Sequence, residues 1–406
     1  MNAALPARYV RRLSPLERYN LVINEVHRYH VDAVVEGQGD IDLQALQTAV
    51  AIAAAANPGI RVRLRGVLGF CRWVDSGEPP SVRVCDDCAW DGMSEAHTEF
   101  LADRLDPLRG GPVADIIMAY CRDGKLRLVF RAVHAALDGR GMQHWMLEVF
   151  RALRGEPLLG SRSVLTDLDV QASQPVPPPE EAAPPACLPV VPPVEGEDVL
   201  RYIWRRIEIP RNVSHMLPKA LIFMAGWARR QGEGDVGFTV PVDYRGLRTQ
   251  EMGIGNMTGY VRVYISKDDT PRSLMQQLNQ RLREQADCRR LPTAGKLPWV
   301  PVRRMARDLQ KNLRAVLYTA NAFLPSGGIV SMGQHPTVDP VRCAGFEPHC
   351  VFGIPGAAGK LNVLFINYSR FTEVVFAAPA AYNGQGQLDE MIAAFAQHFA
   401  AGSGPS

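Results

Sequence analysis

The stretch KLRLVFRAVHAALDGRGMQHW, residues 125–145, changes its hydrophobic period in the middle. Up to Val133, apolar and charged residues alternate, which predicts a half-buried β-strand. From Gly139 onward the apolar residues recur at helical spacing, which predicts an amphipathic helix. His134 and Asp138 therefore lie on the short connection between a strand and a helix.

This connection allows two interpretations. In the first, Asp138 caps the free N–H groups of the helix, Gly139 eases the turn, and His134 is a polar residue at a strand end. In the second, His134 projects its imidazole into a cleft. Its pKa near neutrality then lets it accept a proton from an attacking hydroxyl or amine. The residues alone leave both interpretations open.

The composition excludes several classes of protein. The chain has 406 residues, enough for two domains, and its apolar fraction of 47% is that of a globular protein. A net charge of +3 is too small to indicate a surface that binds nucleic acid or a charged membrane. The first thirty residues show no secretory signal, and the longest apolar run, residues 49–56, is too short to span a bilayer. We therefore expect a cytoplasmic protein with no transmembrane segment and no nucleic-acid partner.

Eight cysteines raise the question of a metal site or disulfides. Cys85 and Cys88 form a CDDC motif with zinc-knuckle spacing, but a structural zinc needs four ligands. Cys343, His349 and Cys350 are the only conceivable partners. We expect free thiols and no metal.

A proline-rich segment divides the chain. Residues 174–198 have too much proline for a helix or a sheet interior and predict an extended linker. It separates an N-terminal segment, residues 1–173, from a C-terminal segment, residues 199–406. Strand and helix patterns mix in both segments, which predicts an α/β or α+β fold with a core sheet in each.

The motif His134-Ala-Ala-Leu-Asp138-Gly139 has the HxxxDG pattern, and other motifs accompany it in a defined order. These are LSPLERYN at 13–20, PVDYRG at 241–246, GNMTGYV at 255–261 and GIVSMGQ at 328–334. Together they resemble the CoA-dependent acyltransferase superfamily with the chloramphenicol acetyltransferase-like fold. This group includes peptide condensation domains, polyketide-associated acyltransferases and wax ester synthases.

The resemblance implies two chloramphenicol acetyltransferase-like subdomains in a V-shaped arrangement with a central tunnel. His134 is expected at its midpoint, as the base or as the group that positions the nucleophile. Asp138 is expected to be structural and to pair with Arg245, with Gly139 beside it. Asn256 and Ser331, in two of the motifs above, are expected to line the tunnel.

The implied activity is transfer of an acyl group from a phosphopantetheine thioester to a small alcohol or amine, in natural-product or lipid biosynthesis. The donor is acyl-CoA or an acyl carrier protein acting in trans, and no cofactor is bound. Peptide condensation domains generally carry a second His where this chain has Val133. The alternative is therefore a non-catalytic, condensation-like scaffold that recruits a partner enzyme or carrier protein.

A basic helix is predicted at PVRRMARDLQKNLRAVLY, residues 301–318. Its basic side chains fall within about 100° of arc, opposite an apolar face. An ordinary solvated face explains this pattern. The alternative is that Arg303, Arg307 and Lys311 bind the donor, through CoA phosphates or an acidic carrier protein.

Overall fold

Three β-sheets and eight α-helices organise the described part of the chain. The structure is a computed structural model and describes residues 9–178, 184–290, 295–318, 324–335, 337–356 and 359–401. Residues 1–8 of the predicted N-terminal segment, residues 179–183 of the predicted linker and residues 402–406 of the predicted C-terminal segment lie outside the described residues.

The strands of the N-terminal segment are β1 (Val10–Arg12), β2 (His30–Gly39), β3 (Val62–Arg65), β4 (Arg72–Asp75), β5 (Ser81–Cys88), β6 (Ala114–Cys121) and β7 (Leu126–Val133). Those that follow the linker are β8 (Tyr202–Ile209), β9 (Gly237–Asp243), β10 (Thr258–Tyr264), β11 (Gly327–Gln334), β12 (Phe346–Ile354), β13 (Asn362–Asn367) and β14 (Thr372–Pro379). The helices are α1 (Pro15–Val26), α2 (Leu43–Ala56), α3 (Gly139–Leu153), α4 (Asp167–Ser173), α5 (Met216–Ala228), α6 (Pro271–Arg283), α7 (Val302–Tyr318) and α8 (Gln387–Ala400).

The first large sheet has the strand order β12-β2-β7-β6-β5. Its edge strand β12 comes from the C-terminal segment and pairs antiparallel with β2, so that Ile354 lies opposite Asp32. The prediction of two consecutive segments, each with its own sheet, did not include a strand that crosses from one segment to the sheet of the other. A strand from one segment thus completes the sheet of the other.

Strand β7 lies at the centre of that sheet and is buried on both faces. The alternating pattern had predicted a half-buried strand, because Arg127 and Arg131 read as solvent-facing. Both are fully buried, since Arg127 pairs with Glu36 at 2.7 Å and Arg131 pairs with Asp115 at 2.6 Å. Buried guanidinium groups are tolerated when they are paired and hydrogen-bonded.

The second large sheet has the order β10-β9-β11-β13-β14-β8. One face packs against α5, α6 and α8 in a single apolar cluster. Val190 and Val191 of the proline-rich segment join the same cluster, so this part of the linker is buried against the sheet. The other face of the sheet is turned toward the first half of the molecule and forms a cavity wall.

The helices flanking the first sheet follow the sequence patterns. Helix α3 buries Met142, Trp145 and Val149 against it, as the helical spacing predicted. Asp42 caps α2 by accepting a hydrogen bond from the Ala45 N–H at 2.7 Å. Among the described residues, no helix combines the length and apolar character needed to cross a bilayer.

The cysteines are free thiols, as expected. All eight fall within the described ranges, and none forms a disulfide. Within the same ranges, no group of three or more His, Cys, Asp or Glu side chains is arranged to hold a metal ion. Cys85 and Cys88 belong to the edge strand β5.

Candidate active site

The connection between β7 and α3 is held by Asp138. Its Oδ1 accepts a hydrogen bond from the Gly141 N–H at 2.8 Å, which caps α3 as the first interpretation predicted. Its backbone is extended, and the side chain is buried. The cap fixes the direction in which the chain leaves the strand, and with it the position of His134.

Arg245 forms a bidentate ion pair with Asp138 across the two halves of the molecule. Its Nη1 lies 3.2 Å from Oδ2 and its Nη2 lies 3.1 Å from Oδ1. Burial by itself would raise the pKa of Asp138, but the Arg245 charge and the bonds from the Gly141 and Met257 amides hold that pKa below its usual value. The contact suggested by the resemblance is therefore present, and the carboxylate is ionised.

The loop from Gly255 to Thr258 supports the same connection from behind. The Asn256 amide donates to the carbonyl oxygens of His134 at 2.8 Å and Ala135 at 3.1 Å. The Met257 N–H and the Thr258 hydroxyl both donate to Oδ2 of Asp138, at 2.9 and 2.8 Å. The sequence did not predict these bonds, although the presence of both the HxxxDG and GNMTG motifs could have indicated that the two segments meet.

Asn256 was expected to line the tunnel, and this expectation is wrong. Its side chain is fully buried and is not among the cavity-lining residues, so it holds the loop in place.

His134 itself lines the cavity between the two halves. The Tyr29 ring stacks on the imidazole, with ring centroids 4.9 Å apart and planes inclined by 17°. Nδ1 is buried without a hydrogen-bond partner within the described residues. Burial lowers the pKa of His134, and the nearby Asp138 charge only partly opposes this effect. The imidazole is therefore neutral at pH 7, the form in which it accepts a proton.

The cavity has a volume of about 1170 Å³ and draws its walls from both halves. One wall is the open face of the second sheet, and the opposite walls are α1 and α3. Ser331, near the end of β11, lines it, and so does Gly139. Ligand pockets for single small molecules are typically about 300–1,000 Å³. This cavity is slightly larger than that range, and His134 lies on its wall.

The predicted donor-binding residues lie apart from this cavity. Arg303, Arg307 and Lys311 are exposed on α7, which packs against α1, and none of them is among the cavity-lining residues. Five other arginines do line it: Arg140, Arg262, Arg281, Arg289 and Arg290. Arg281 lies at the end of α6, and Arg289 and Arg290 lie in the segment that follows. Sequence analysis singled out none of these.

Solved structures that are similar to this chain include condensation domains. The condensation domain of the Monacolin K polyketide synthase MokA aligns with a TM-score of 0.63 at 10% identity, covering 97% of both chains. A variant of the starter condensation domain of rhizomide synthetase RzmA, in complex with C8-CoA, aligns with a TM-score of 0.63 at 16% identity, covering 97% of this chain and 95% of that chain. The first condensation domain of the calcium-dependent antibiotic synthetase, in complex with a substrate analogue, aligns with a TM-score of 0.63 at 15% identity, covering 98% of this chain and 96% of that chain.

The chain has the condensation-domain fold, which the order of its motifs had indicated. Within this fold, the loop that carries the HxxxDG pattern, residues 134–139, lies at the cavity. No protein-family model matches the chain, and no curated protein sequence matches it. At these identities the likeness defines the fold, so the chemistry is argued from the site itself.

Proposed function

We propose that the protein is an acyltransferase that moves an acyl group from a phosphopantetheine thioester to a hydroxyl or amine acceptor. The observation that carries this proposal is the neutral imidazole of His134 on the wall of a cavity of about 1170 Å³ between the two halves. The fold supports it, since the starter condensation domain of RzmA is known in complex with C8-CoA. The donor is an acyl-CoA or an acylated carrier protein acting in trans.

The proposed step uses one protein base. Nε2 of His134 accepts the proton of the acceptor O–H or N–H as the oxygen or nitrogen attacks the thioester carbonyl carbon. The new C–O or C–N bond forms, and the C–S bond of the tetrahedral intermediate then breaks. The imidazolium returns its proton to the departing sulfur, so the products are an ester or amide and a free thiol. Asp138 and Arg245 do not touch the reactants; they position the loop.

A thiol-release assay tests the proposal. The protein is incubated with a panel of acyl-CoAs and acylated carrier proteins and with alcohol and amine acceptors, and product masses are measured. His134→Ala is expected to lower turnover by roughly 10²–10⁴-fold, the usual contribution of a positioned general base, with an unchanged melting temperature. His349→Ala is the matched control, because His349 is exposed on β12 and outside the cavity.

Two outcomes would contradict this function. An active His134→Ala protein would remove the base from the mechanism. Absence of thiol release across the whole panel, together with stable binding of a partner enzyme or carrier, would favour the non-catalytic scaffold. Val133 is the feature that supports that alternative, since it is buried in the apolar core where a second His would stand.

We further propose that the exposed basic face of α7 captures the donor. Replacing Arg303, Arg307 and Lys311 by Glu is expected to slow donor association and to raise the donor KM, with a defect that shrinks at high salt. Folding is expected to stay intact, because these side chains face solvent. Arg281→Glu/Arg290→Glu, at the cavity wall, is the comparison. A donor KM that only this second variant raises would move donor recognition from α7 to the cavity.

A further inference from the structure

Asp167 is a buried carboxylate in the cavity wall that the proposed acyl transfer does not use. It is the first residue of α4 and lines the cavity together with Gln171, one turn further along the helix. Its side chain is buried, and its Oδ1 has no hydrogen-bond partner in the part of the chain that the structure describes. A buried acceptor without a partner lowers the free energy of unfolding by about 1–3 kcal/mol. A residue that is kept at this loss of stability is a candidate for a functional role.

Capping of α4 does not supply that function. The Thr166 hydroxyl accepts a hydrogen bond from the Asp169 N–H at 3.3 Å, and Asp169 Oδ2 accepts one from the Thr166 N–H at 3.0 Å. These two bonds form a complete capping box. The helix start is therefore satisfied by its neighbours, and Asp167 is free to face the cavity.

Asp167 also differs from the other buried carboxylates of the described residues. Each of the others has a cationic partner within 4 Å: Glu17, Asp32, Glu36, Asp115, Asp138, Glu148, Asp287 and Glu373. Asp167 forms no ion pair with any residue in the described ranges. Among the described residues, each buried carboxylate other than Asp167 is thus paired with a basic side chain of the protein itself, and Asp167 lies at the cavity.

Asp138 shows what Asp167 lacks. Both are buried, but Arg245 holds the pKa of Asp138 below its usual value. Burial raises the pKa of Asp167 to about 7, and the Glu17 carboxylate adds to the rise against a Ser14 hydrogen bond and the Arg11 charge. Arg11 is already ion-paired with Glu17. When both acids are ionised, this corner of the cavity therefore carries one uncompensated negative charge.

We propose that Asp167 binds a protonated amine of the acceptor, an inference that rests on the acyl transfer proposed above. The ammonium group supplies the positive charge that Arg245 supplies to Asp138, and its N–H groups donate to the Asp167 carboxylate. An ammonium has no lone pair, so the group held by Asp167 is not the group that attacks. The acceptor class is a bifunctional one: an amino alcohol or diamine with its cationic end at Asp167 and its reacting hydroxyl or neutral amine at His134.

Binding of simple probes tests this role without requiring turnover. Hexylamine and 1-hexanol differ in the ammonium group and share an apolar chain. At pH 8 the Asp167 carboxylate is ionised and hexylamine is protonated. By isothermal titration we expect the wild-type protein to bind hexylamine at least about tenfold more tightly than 1-hexanol, as a charge-assisted bond in a buried site predicts.

Two variants separate the charge from the helix. Asp167→Asn keeps the shape and removes the charge; it is expected to abolish the preference for hexylamine, leave 1-hexanol binding unchanged and keep or raise the melting temperature. Asp167→Ser is a second variant with the same expectation. Asp169→Asn is the matched control, because it alters a carboxylate of the same helix that does not line the cavity, and it is expected to retain the preference.

The results distinguish this inference from the function on which it rests. Equal binding of the two probes by the wild-type protein, no binding of either, or an amine preference that survives Asp167→Asn would each overturn the assignment to Asp167, even if acyl transfer is observed. A preference for hexylamine that depends on Asp167, in a protein that releases no thiol from any donor, would overturn the proposed acyl transfer and leave the amine site standing.

Discussion

His134 combines a neutral state with an unusually fixed position. The backbone carbonyl oxygen of His134 accepts hydrogen bonds from the side chains of Asn20 and Asn256, and its backbone N–H donates to the Tyr29 carbonyl oxygen. The imidazole ring stacks on the Tyr29 ring. The backbone is therefore tied on both sides while the ring faces the cavity. A side chain held in this way needs little reorganisation, which suits the role of base that we propose for it.

The first prediction concerns the pH dependence of this base. Burial lowers the pKa of His134 from its usual value of 6.5, so the imidazole becomes protonated and inactive only below that pH. The acid limb of kcat/KM is therefore expected to have its midpoint below pH 6.5. Asp167, with a pKa of about 7, titrates in the same cavity, so the profile is measured with Asp167→Asn as well. A midpoint above 6.5 in that variant would contradict a buried, neutral His134.

The second prediction separates the two glycines of the sequence DGRG. A Cβ at Gly141 would lie 2.0 Å from the Ile254 carbonyl oxygen, which is backbone and cannot yield cheaply. A Cβ at Gly139 would meet only Met332, whose Sδ lies at an ordinary 3.5 Å. We expect Gly141→Ala to lower the free energy of unfolding by about 3 kcal/mol or more, through overpacking. Gly139→Ala is expected to change it by no more than about 1 kcal/mol. Urea denaturation of both variants checks this, and equal losses would contradict it.

At the scale of elements, the Asp138 carboxylate joins the start of helix α3 to the second half of the molecule. Asp138 caps α3 and accepts from Arg245, Met257 and Thr258 of the opposite half. Its five hydrogen bonds explain why an acid is required at this position. The motif thus links a helix start, an ion pair and a loop, and each of these positions His134.

The third prediction is a double-mutant cycle on this pair. Arg245→Ala leaves the buried Asp138 carboxylate without its counter-charge, so it is expected to lower the free energy of unfolding by about 3–5 kcal/mol. Asp138→Ala leaves Arg245 paired with Asp243 at 2.7 Å, so its loss from the broken pair is expected to be smaller, but it also removes the cap, which costs roughly 1 kcal/mol. The double variant is expected to be much less destabilised than the sum, since no buried charge is left alone. Losses that add within about 0.5 kcal/mol would show that the pair does not couple the halves.

Local patterns predicted most elements, because helix caps and hydrophobic periods are local. The period change at Gly139 lies where the sequence indicated, because β7 ends at Val133 and α3 begins at Gly139, and the basic helix predicted at residues 301–318 is α7. The resemblance located His134, Asp138 and Arg245. Two features could not be predicted in this way. The first is the burial of Arg127 and Arg131 on β7: the alternating pattern indicated exposed side chains, because the carboxylates that pair with them are not neighbours on the same strand. The second is the pairing of β12 with β2, which joins residues some 300 positions apart and which no local pattern encodes.

At the scale of the whole molecule, a buried charge network joins the two halves. Arg206 on β8 forms an ion pair with Glu373 on β14 at 2.7 Å and reaches Glu36 on β2, in the other half, at 3.4 Å. Its guanidinium also lies 4.0 Å from the ring centroid of Phe352, on the exchanged strand β12. Both halves and the strand that they share thus meet at one side chain.

The last prediction compares Arg206 with its neighbour Arg205. Arg206→Leu strands the buried carboxylate of Glu373, so we expect the free energy of unfolding to fall by about 3–5 kcal/mol. Arg205→Leu is the matched control: it removes ion pairs with Glu95 and Asp389, but these are partly exposed, and its loss is expected to stay near or below about 1 kcal/mol. Because the network and the exchanged strand tie the halves together, the wild-type protein is expected to unfold in one transition. Calorimetry of the wild-type protein and the two variants checks both points. Similar losses of stability for the two variants would contradict the role of Arg206. Separate unfolding transitions of the two halves in the wild-type protein would contradict their coupling.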